Sequence, residues 1–400
     1  MNILYINSFD CSPDASGGVN RLVYILSEKL SADYGYHCFL GYFEDTTWPP
    51  ATVFDGRIKL SSPFDDKKFE SFLLKNSITI VQINFIIKRY FHSIENIYQI
   101  ASRNNIKVIY GFHMNPGYQI QAYYSWDKVK YCFTRRQQPF KELSKFLFMK
   151  VRLVFSPFIK MMLKPKYRIP YDNCDVVVVS AKEYVRDYID IASEKDNSKF
   201  VVIGNMLSYD FYISHEECIN KDKEVVVVAR FDDSIKRVSL VLKIWKLIED
   251  NPGLTDWKLT ILGNGIDRDF YMYLCNKLNL KRVSFVGEQP PLKYYKRSSI
   301  LMMTSGAEGW PMVLMGALPM GVTTIVFDSF GALHDIFLNC ADSHLIPNNN
   351  INLFYKKMSE VMLDDNYRLE LCTNAIEISK RFESTVIVNK WHDLYKSLMT

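Results

Sequence analysis

The stretch EVVVVARFDDSIKRVSLVLKIWKLIED, residues 224–250, decides the fold class of this chain. It opens on a run of valines that predicts a buried strand over 224–231. The helix predicted after this strand carries apolar side chains on one face, at Val238, Val241, Leu242, Trp245 and Ile248. A buried strand followed by an amphipathic helix is typical of a parallel sheet that helices cover.

Strands and helices alternate in the same way on both sides of this stretch. In the first half we predict a helix over 19–31 and strands at 2–8, 37–43, 78–85, 106–113, 175–180 and 200–205. In the second half we predict helices over 267–280, 291–298 and 311–320, between strands at 257–265, 283–289, 300–305 and 323–329. The alternation predicts an α/β chain with helices on both faces of parallel sheets.

The length of 400 residues favours two domains, because a single hydrophobic core rarely grows that large. A polar stretch, SHEECINKDKE at 214–224, separates them. We predict two Rossmann-like, doubly wound domains over 1–214 and 222–383, the first with a basic helical insertion at about 128–168. Two such domains facing one another leave a cleft between the carboxyl ends of their sheets, where ligands bind in open parallel sheets.

Composition excludes several classes of protein. No run of about 20 apolar residues is present, so we expect no transmembrane helix. The opening MNILYINSFDCSP lacks a basic segment before its apolar run, so we expect a strand there and no signal peptide. The eight cysteines are scattered, without a CxxC pair or a Cys/His cluster, which favours reduced thiols in a cytoplasmic protein.

Positive charge is concentrated in one segment. Residues 128–168 hold 12 Lys and Arg against a single acid, Glu142, while the rest of the chain is mildly acidic. This distribution argues against a nucleic-acid binder and for one localised contact. Apolar residues recur there at helical spacing, at Phe140, Leu143, Phe146, Leu147 and Val151. The segment predicts either a basic amphipathic helix on an anionic membrane surface or a helical hairpin packed on the first domain.

The stretch SGAEGWPMVLMGALPMG carries the first candidate site. Glu308 follows a predicted strand, and Pro311 suits the first turn of the next helix. Backbone N–H groups around this helix start, at Gly309, Trp310 and Met312, together with the helix dipole favour a phosphate group. The alternative is an ordinary strand–turn–helix with Glu308 solvated.

Three further motifs follow predicted strands. Arg230 and Lys236 suit a diphosphate, as a planar fork and a point charge, unless they mark only a solvated helix start. Gly17 and Gly18 would let the backbone approach a ligand closely, or they form only a turn. His113 could hold a hydrogen bond or a proton in the cleft, or serve structure alone.

Together these motifs resemble the family 4 glycosyltransferases, which are retaining enzymes of the two-Rossmann GT-B fold with nucleotide-sugar donors. EGWPMVLMGA supplies the family's E-x7-E motif except its second Glu, where Gly316 stands. ARFDDSIKR is similar to the family's Arg/Lys pair with one more residue between the two. ASGGV, VIGN and FDSFGALHDI resemble its glycine loop, its domain junction and its last donor-site segment. The resemblance covers nearly the whole chain, most strongly Val225–Asp335, and implies that the C-terminal helix, 384–400, crosses back onto the first domain.

The resemblance also implies roles in the second domain. Glu308 would meet hydroxyl groups of the donor sugar, and the amides of Gly309 and Trp310 would hold sugar and phosphate. Arg230 and Lys236 would neutralise the leaving diphosphate, where departure of the nucleotide builds negative charge. Retention in this family is usually ascribed to a front-face mechanism, so no nucleophilic carboxylate is required.

In the first domain the resemblance implies that His113 contacts the donor sugar, and that Gly17 and Gly18 border the diphosphate and the acceptor. We expect no metal and no other cofactor. The string DRD, 267–269, fits a metal-binding pattern, but it opens a predicted helix, where Asp is a favoured cap.

Gly316 departs from the family pattern. A carboxylate at this position usually holds the ribose hydroxyls, and each missing charge-assisted hydrogen bond is worth about 1.5–3 kcal/mol. Three interpretations follow. The chain is an active enzyme with altered ribose contacts, an inactive relative, or a protein in which the residue at 316 was replaced deliberately or by accident. The intact Arg230, Lys236, Glu308 and His113 favour retained or recently lost activity over a long-decayed site.

The resemblance therefore implies a retaining glycosyltransferase. It would move a hexose or N-acetylhexosamine from a nucleotide-diphosphate sugar, with UDP favoured, to a glycan acceptor carried on a lipid. This activity belongs to bacterial surface polysaccharide synthesis, such as that of capsule or lipopolysaccharide, at the inner face of the cytoplasmic membrane. Two alternatives stay open: a non-catalytic binder of sugar nucleotides or glycans, motivated by Gly316, and a sugar-nucleotide epimerase of the same fold.

Overall fold

The computed structural model describes the chain except residues 12–17, 46–50, 62, 85–89, 122, 136–137, 152–153 and 341–343. The chain divides into two compact units, and each unit has a parallel sheet of its own. The first unit comprises Met1–Pro116, Met161–Met206 and Phe382–Thr400. The second comprises Gly117–Lys160 and Leu207–Arg381.

Seven strands form the first sheet: β1 Asn2–Phe9, β2 His37–Glu44, β3 Gly56–Lys59, β4 Ile80–Ile83, β5 Lys107–Phe112, β6 Val176–Val179 and β7 Phe200–Val202. Six strands form the second: β8 Asp222–Val228, β9 Lys258–Leu262, β10 Val283–Gly287, β11 Ser298–Met303, β12 Thr323–Asp328 and β13 Leu345–Pro347.

The α-helices are α1 Gly18–Tyr34, α2 Asp66–Lys75, α3 Phe91–Arg103, α4 Tyr118–Gln121, α5 Trp126–Thr134, α6 Pro139–Val151, α7 Ser156–Asn173, α8 Lys182–Ala192, α9 His215–Ile219, α10 Val238–Glu249, α11 Arg268–Lys277, α12 Leu292–Arg297, α13 Met312–Ala317, α14 Ala332–Ile336, α15 Ile351–Leu363, α16 Asp365–Ser379 and α17 Ser384–Ser397. Short 3₁₀ turns lie at Pro252–Leu254, Leu318–Met320 and Lys380–Phe382. Within the residues that the structure describes, no helix is both long and apolar enough to cross a bilayer.

Both sheets are doubly wound. The strand order is β3-β2-β1-β4-β5-β6-β7 in the first and β10-β9-β8-β11-β12-β13 in the second, and the neighbouring strands pair in parallel. In each sheet the order reverses beside the first strand, between β1 and β4 and between β8 and β11. Ligands of such sheets bind at the carboxyl ends of the strands on either side of this reversal. The predicted α/β fold with two Rossmann-like domains is confirmed, while the cleft stays a prediction.

The stretch that decides the fold class behaves as its pattern predicts. The valines of β8 are buried, and α10 places Val238, Val241 and Trp245 in the core of the second unit, each fully excluded from solvent. Complete burial of such a side chain contributes roughly 1.5–3 kcal/mol. The packing of α10 on the sheet therefore fixes where the loop between β8 and α10 emerges.

The helix predicted over 311–320 is shorter in the structure. It ends at Ala317, and the chain continues as a 3₁₀ turn with Pro319 inside it. Proline has no N–H to donate to an α-helical hydrogen bond, so it stops the helix. Gly321 then takes a left-handed conformation with φ of 55°, which glycine adopts without steric cost.

The domain borders differ from the prediction. The second part of the second unit begins at Leu207, and the polar stretch predicted as the break contains the helix α9. Ser214 caps this helix and Glu217 bonds back to the Ser214 N–H, so the polar residues form a capping box.

The basic segment also lies elsewhere than predicted. We placed 128–168 on the first domain; residues 128–160 group with the second unit, and only 161–168 group with the first. The reason is the inner face of α5. Its Tyr131 ring packs 5.6 Å from Phe270, and Lys128 forms an ion pair of 2.7 Å with Asp267. The C-terminal helix α17 groups with the first unit, where Tyr395 lies 3.2 Å from Tyr5, hydroxyl to hydroxyl.

Candidate functional site

An ion pair between Lys236 and Glu308 stands at the carboxyl edge of the second sheet. Lys236 lies in the loop after β8, and Glu308 lies in the loop after β11, so the pair spans the reversal of strand order. The two side chains are only 18% and 16% exposed. Both charges are therefore partly desolvated, and removal of one would cost the other its ion pair.

Arg230 lies at the start of the same loop, in a different environment. Its side chain is 67% exposed, and its guanidinium nitrogen is 3.7 Å from a carboxylate oxygen of Asp232. An exposed pair of this length contributes little to stability. Arg230 is thus a solvated cation in the same loop as Lys236, able to turn toward an anion without breaking a strong contact.

Arg237 fastens this loop to two others. Its backbone is left-handed, with φ of 53°, and its side chain is buried. Its guanidinium donates to the carbonyl oxygens of Thr304 and Ser305, the latter at 2.6 Å. It also donates to the side-chain oxygens of Asn348 and Asn349, at 2.8 and 3.0 Å. One side chain therefore joins the loops that follow β8, β11 and β13.

The Arg237 clamp needs a glycine opposite it. A β-carbon on Gly306 would lie 3.3 Å from the guanidinium carbon, and the Gly306 N–H donates to the Ile235 carbonyl at 2.7 Å. Burial lowers the pKa of Arg237 to about 10, and the guanidinium stays charged at neutral pH. These contacts hold the two loops together and thereby fix Lys236 against Glu308. Sequence reasoning missed Arg237, although it is the last residue of the quoted ARFDDSIKR motif.

The residues after Glu308 start a short helix. Pro311 is its N-cap residue, Trp310 is buried, and Gly309 and Met312 are partly exposed. The helix α13 that follows has six residues. A helix this short has a weaker dipole than the ten-residue helix of the prediction, so less favourable potential is available for a phosphate here.

Gly316 is buried in α13 and packed against aromatic rings. A β-carbon at this position would lie 2.8 Å from Cε2 of Tyr295 and 3.5 Å from Cε2 of Tyr209. Tyr295 belongs to α12 and is 2% exposed, so its ring has little room to move. The backbone next to Gly316 is also held in place, because the Ser208 N–H donates a hydrogen bond to the Met315 carbonyl at 3.1 Å. The place that the family resemblance gives to a carboxylate is filled by tyrosine.

The predicted capping role of Asp267 is wrong. Asp267 stands at the N-cap of α11, but its side chain makes no capping bond. One carboxylate oxygen instead accepts from the Asp233 N–H at 2.7 Å, and the other pairs with Lys128. Asp233 in turn accepts from the Ser239 N–H at 2.9 Å, and burial raises the pKa of its carboxyl group. These carboxylates hold the loop after β8 in place.

The remaining predicted residues belong to the first unit. His113 follows β5, and its Nε2 lies 3.2 Å from Oδ1 of Asn84. Burial lowers the pKa of His113 to about 4, so the imidazole is neutral at pH 7. Gly18 begins α1, and Gly17 lies outside the described residues. Among the predicted residues, the structure thus brings Lys236 and Glu308 into direct contact.

Residues 208–381 match the family model Glycosyl transferases group 1. The matched range coincides with the continuous part of the second unit, Leu207–Arg381, which carries the Lys236–Glu308 pair and the Arg237 clamp. The family resemblance of the sequence motifs is therefore supported over the part of the chain that holds them.

Two curated relatives extend this similarity. The chain is 27% identical over 238 residues to GalNAc-alpha-(1->4)-GalNAc-alpha-(1->3)-diNAcBac-PP-undecaprenol alpha-1,4-N-acetyl-D-galactosaminyltransferase of Campylobacter jejuni, over 57% of this chain and 63% of that protein. It is 25% identical over 228 residues to the amylovoran biosynthesis glycosyltransferase AmsD of Erwinia amylovora, over 54% and 61%. The matches thus span about three fifths of the length of these relatives.

A solved structure is similar over the whole chain. Anabaena Alr3699/HepE in complex with UDP superposes with a TM-score of 0.70 at 13% identity, and the match covers 99% of this chain and 100% of that one. At this identity the likeness establishes the fold, and the predicted GT-B class is confirmed at that level.

Proposed function

We propose that this chain is a retaining glycosyltransferase that moves a hexose or N-acetylhexosamine from a nucleotide-diphosphate sugar, UDP favoured, to a glycan. The observation that carries the proposal is the Lys236–Glu308 pair, held by Arg237 at the carboxyl edge of the second sheet. The family match over 208–381 and the glycosyltransferase names of the relatives support it. The UDP bound by the structural neighbour supports the choice of nucleotide.

In this proposal Lys236 and Arg230 stabilise the leaving group. When the bond between the anomeric carbon and the diphosphate oxygen breaks, negative charge builds on the diphosphate. A desolvated ammonium stabilises that charge more strongly than a solvated one. The acceptor hydroxyl oxygen forms the new bond on the same face of the sugar, and its proton passes to the departing phosphate. Glu308 accepts hydrogen bonds from hydroxyl groups of the sugar and holds Lys236 in place.

We propose that the reaction needs no metal ion. Arg230 and Lys236 supply positive charge where a divalent cation would otherwise supply it, and the acidic string at 267–269 has its first carboxylate committed to Lys128. Transfer activity that is unchanged in excess chelator is the expected result, and activity restored only by a divalent cation would contradict it.

The acceptor is proposed to be a glycan on a lipid diphosphate. The relative from Campylobacter jejuni bears the name of a transferase acting on a PP-undecaprenol glycan, and AmsD is named for amylovoran biosynthesis. A role in bacterial surface polysaccharide synthesis follows for this chain as part of the proposal. The protein would then work in the cytoplasm, peripherally on the inner face of the membrane.

An exposed apolar surface on the second unit fits that location. We call it the α6–α7 surface, and its members are Phe140, Leu147, Phe148, Val151, Val154, Phe155 and Phe158, between 45% and 78% exposed. Exposed apolar side chains concentrated in one segment favour a protein or membrane contact. The exposed Lys141 and Lys145 lie beside these residues on α6, and such a mixture of cations and aromatic rings suits anionic lipid.

The inner side of α6 has a different role. Phe146 packs 5.0 Å from the ring of Trp126, ring centre to ring centre, and Leu143 is half-buried. The sequence pattern placed Leu143 and Phe146 with the membrane-facing residues. In the structure Phe146 contacts α5 and Leu143 is half-buried, whereas Phe140, Leu147 and Val151 stay exposed.

A second candidate function is a binder of sugar nucleotides without turnover. The observation that favours it is the tyrosine packing at Gly316, which removes the place of the second carboxylate. The two functions differ in a panel of UDP-, GDP- and TDP-sugars tested by calorimetry for binding and by chromatography for hydrolysis and transfer. Turnover that is lost in Glu308→Gln supports the transferase. Binding without turnover in the wild type supports the binder, and the absence of both would overturn the assignment.

A further inference from the structure

A chain of buried polar side chains runs through the first unit and ends at His113. Its members are Tyr395 of α17, Gln82 of β4, Asn84 just after β4, and Asn7 of β1, each at most 2% exposed. Buried amides are costly unless they are hydrogen-bonded, and here each side chain bonds to the next. Together these side chains form a hydrogen-bonded series from the C-terminal helix to the carboxyl edge of the first sheet.

The hydrogen bonds of this chain run in one direction. The Tyr395 hydroxyl donates to Oε1 of Gln82 at 2.6 Å, and Nε2 of Gln82 donates to Oδ1 of Asn84 at 2.7 Å. Nδ2 of Asn84 donates to Oδ1 of Asn7 at 3.1 Å. Asn84 therefore turns its oxygen, and not its NH₂ group, toward His113. Because an amide oxygen can only accept, Nε2 of His113 at 3.2 Å must carry the hydrogen.

A glycine on β5 makes room for this contact. A β-carbon on Gly111 would lie 2.7 Å from Nε2 of His113 and 2.9 Å from Oδ1 of Asn84. Any other residue at 111 would push the imidazole and the amide apart. The glycine is thus an independent sign that the His113–Asn84 contact is built into the sheet.

Within the described residues, the ionisable side chains hydrogen-bonded to this chain are Tyr395, its neighbour Tyr5, and Cys11, whose sulfur Asn7 contacts. Burial raises the pKa of each, that of Cys11 to about 12, and the ion-paired Asp10 and Arg57 lie near Cys11. The two tyrosines and the cysteine are neutral at pH 7. A neutral surrounding disfavours the imidazolium form, and the lowered pKa of His113 has burial as its cause.

We propose that Tyr395, Gln82 and Asn84 are positioning residues that hold His113 as the neutral Nε2–H tautomer. The other ring nitrogen, Nδ1, then keeps its lone pair and accepts a hydrogen bond from a hydroxyl group of the bound sugar. The tautomer follows from contacts inside the first unit alone. Its use toward a sugar hydroxyl rests on the proposed function.

The tautomer can be measured directly by nitrogen NMR of the full chain labelled at histidine. His113 is assigned from the signals missing in His113→Gln. The expected wild-type spectrum at pH 7 shows a protonated Nε2 and an unprotonated Nδ1. A protonated Nδ1, or an even mixture, would overturn the proposal, because it would mean that the amide chain runs the other way.

Two variants test whether the amide chain is the cause. Asn84→Asp sets a carboxylate against the Nε2–H, so the pKa of His113 should rise by at least one unit. Tyr395→Phe removes the donor that orients Gln82 and should lower the population of the Nε2–H form. Tyr188→Phe is the matched control, since its hydroxyl donates to the Tyr167 carbonyl elsewhere in the first unit. An unchanged His113 spectrum in both test variants would contradict the positioning role.

Activity gives the second part of the test. If the wild type transfers sugar, Tyr395→Phe should lower kcat/KM about three- to tenfold while the Tyr188→Phe control keeps its value. If the expected tautomer is found but no sugar nucleotide is turned over, the tautomer assignment stands and the proposed function fails. If turnover is present and the kcat/KM values of Asn84→Asp and Tyr395→Phe both equal that of the wild type, Nδ1 has no role toward the sugar.

Discussion

Tyr295 packs so closely on Gly316 that a β-carbon at position 316 would lie 2.8 Å from its ring carbon Cε2. The two residues belong to adjacent helices, α12 and α13, and both are buried. The absence of a side chain at 316 is therefore a packing requirement of this fold. It answers why a helix has glycine where alanine would be favoured by about 1 kcal/mol.

The first prediction concerns this contact. Gly316→Ala should lower the free energy of unfolding by roughly 1–3 kcal/mol, because the methyl group overpacks a buried site. Tyr295→Leu removes the opposing ring atom, so the two substitutions should be less destabilising together than their sum, in a double-mutant cycle measured by urea unfolding. Gly316→Glu alone should not tighten UDP binding, whereas Gly316→Glu with Tyr295→Leu should.

Gly41→Ala is the control for this cycle, since its β-carbon would meet Ile6 at an ordinary 3.4 Å. Gly316→Ala that is as stable as the wild type would show that the tyrosine ring yields freely. The explanation of the glycine by packing would then be lost.

The second prediction separates charge from packing in the Lys236–Glu308 pair. Lys236→Met and Glu308→Gln should each lower kcat/KM by about 10- to 150-fold, equivalent to one charge-assisted hydrogen bond of about 1.5–3 kcal/mol. The single variants should also melt earlier, because the remaining charge is partly buried and has lost this ion pair. The double variant should regain stability without regaining activity. Lys246→Met is the matched control, because Lys246 of α10 forms an exposed pair of 2.6 Å with Asp250. This variant should leave kcat/KM and the melting temperature unchanged.

The third prediction concerns Arg237. Arg237→Lys keeps the charge but loses the planar fork that reaches both carbonyls and both asparagines. It should lower the free energy of unfolding by about 3–5 kcal/mol, as expected when a buried, fully bonded cation loses its partners. Arg103→Lys is the control, since that guanidinium makes a two-point contact with Glu70 while half exposed. Equal losses in the two variants would contradict the clamp.

The fourth prediction is a pH dependence from His344. This side chain is fully buried, its Nδ1 lies 2.8 Å from the Thr324 carbonyl, and burial lowers its pKa to about 4. The unfolded chain binds the proton near pH 6.5, so the folded state holds fewer protons between these values and stability falls as pH drops from about 6.5 to 4. The loss from this group is on the order of 3 kcal/mol.

Melting temperatures from pH 7.5 to 4.5 check this dependence. His344→Gln should flatten the slope relative to the wild type, and His215→Gln, at an exposed position on α9, should not. A slope that is the same in all three proteins would exclude His344 as its source. His113, with its lowered pKa, acts in the same direction and accounts for part of the slope that remains.

The fifth prediction concerns the α6–α7 surface. Phe148→Glu with Val154→Glu places two acids on side chains that are 55% and 77% exposed. Co-sedimentation with vesicles of phosphatidylglycerol and phosphatidylcholine should fall at least tenfold, and wild-type binding should weaken with salt. Leu74→Glu with Leu363→Glu alters two other exposed leucines, each 60% exposed, and should bind as the wild type does. Equal binding to neutral vesicles in high salt would contradict an electrostatic contact.

Periodicity predicted the parts of the fold that are long and regular. The valine run of β8 and the apolar stripe of α10 carry unambiguous patterns. The strand β8 covers Asp222–Val228 where 224–231 was predicted, and α10 buries all five of its predicted apolar residues. The strands β3 and β13 were not predicted, because GRIK and LIP lack the run of β-branched residues that marks the equally short β6, VVVV. The predicted placement of α5 in the first domain was wrong. Periodicity shows that a helix has an apolar face, but it does not show which element packs against that face.

The candidate site was predicted in part for a related reason. Charge type and position after strands singled out Lys236 and Glu308, and the structure joins them. Arg237 was missed because a cation at a helix start is normally solvated, and its burial depends on Gly306 and two asparagines more than 100 positions away. The tyrosines beside Gly316 were equally invisible, since their contact depends on the packing of α12 against α13.

The placement of α5 has a consequence for how this protein can be made. Tyr131 and Cys132 belong to the same buried cluster as Phe270 and Leu274, so the core of the second unit is completed by residues synthesised far ahead of it. On the ribosome, α5 emerges before α11, against which it packs, and before any strand of the second sheet. A fragment cloned from residue 207 onward would leave that side of the cluster bare, and the useful unit for expression is the whole chain.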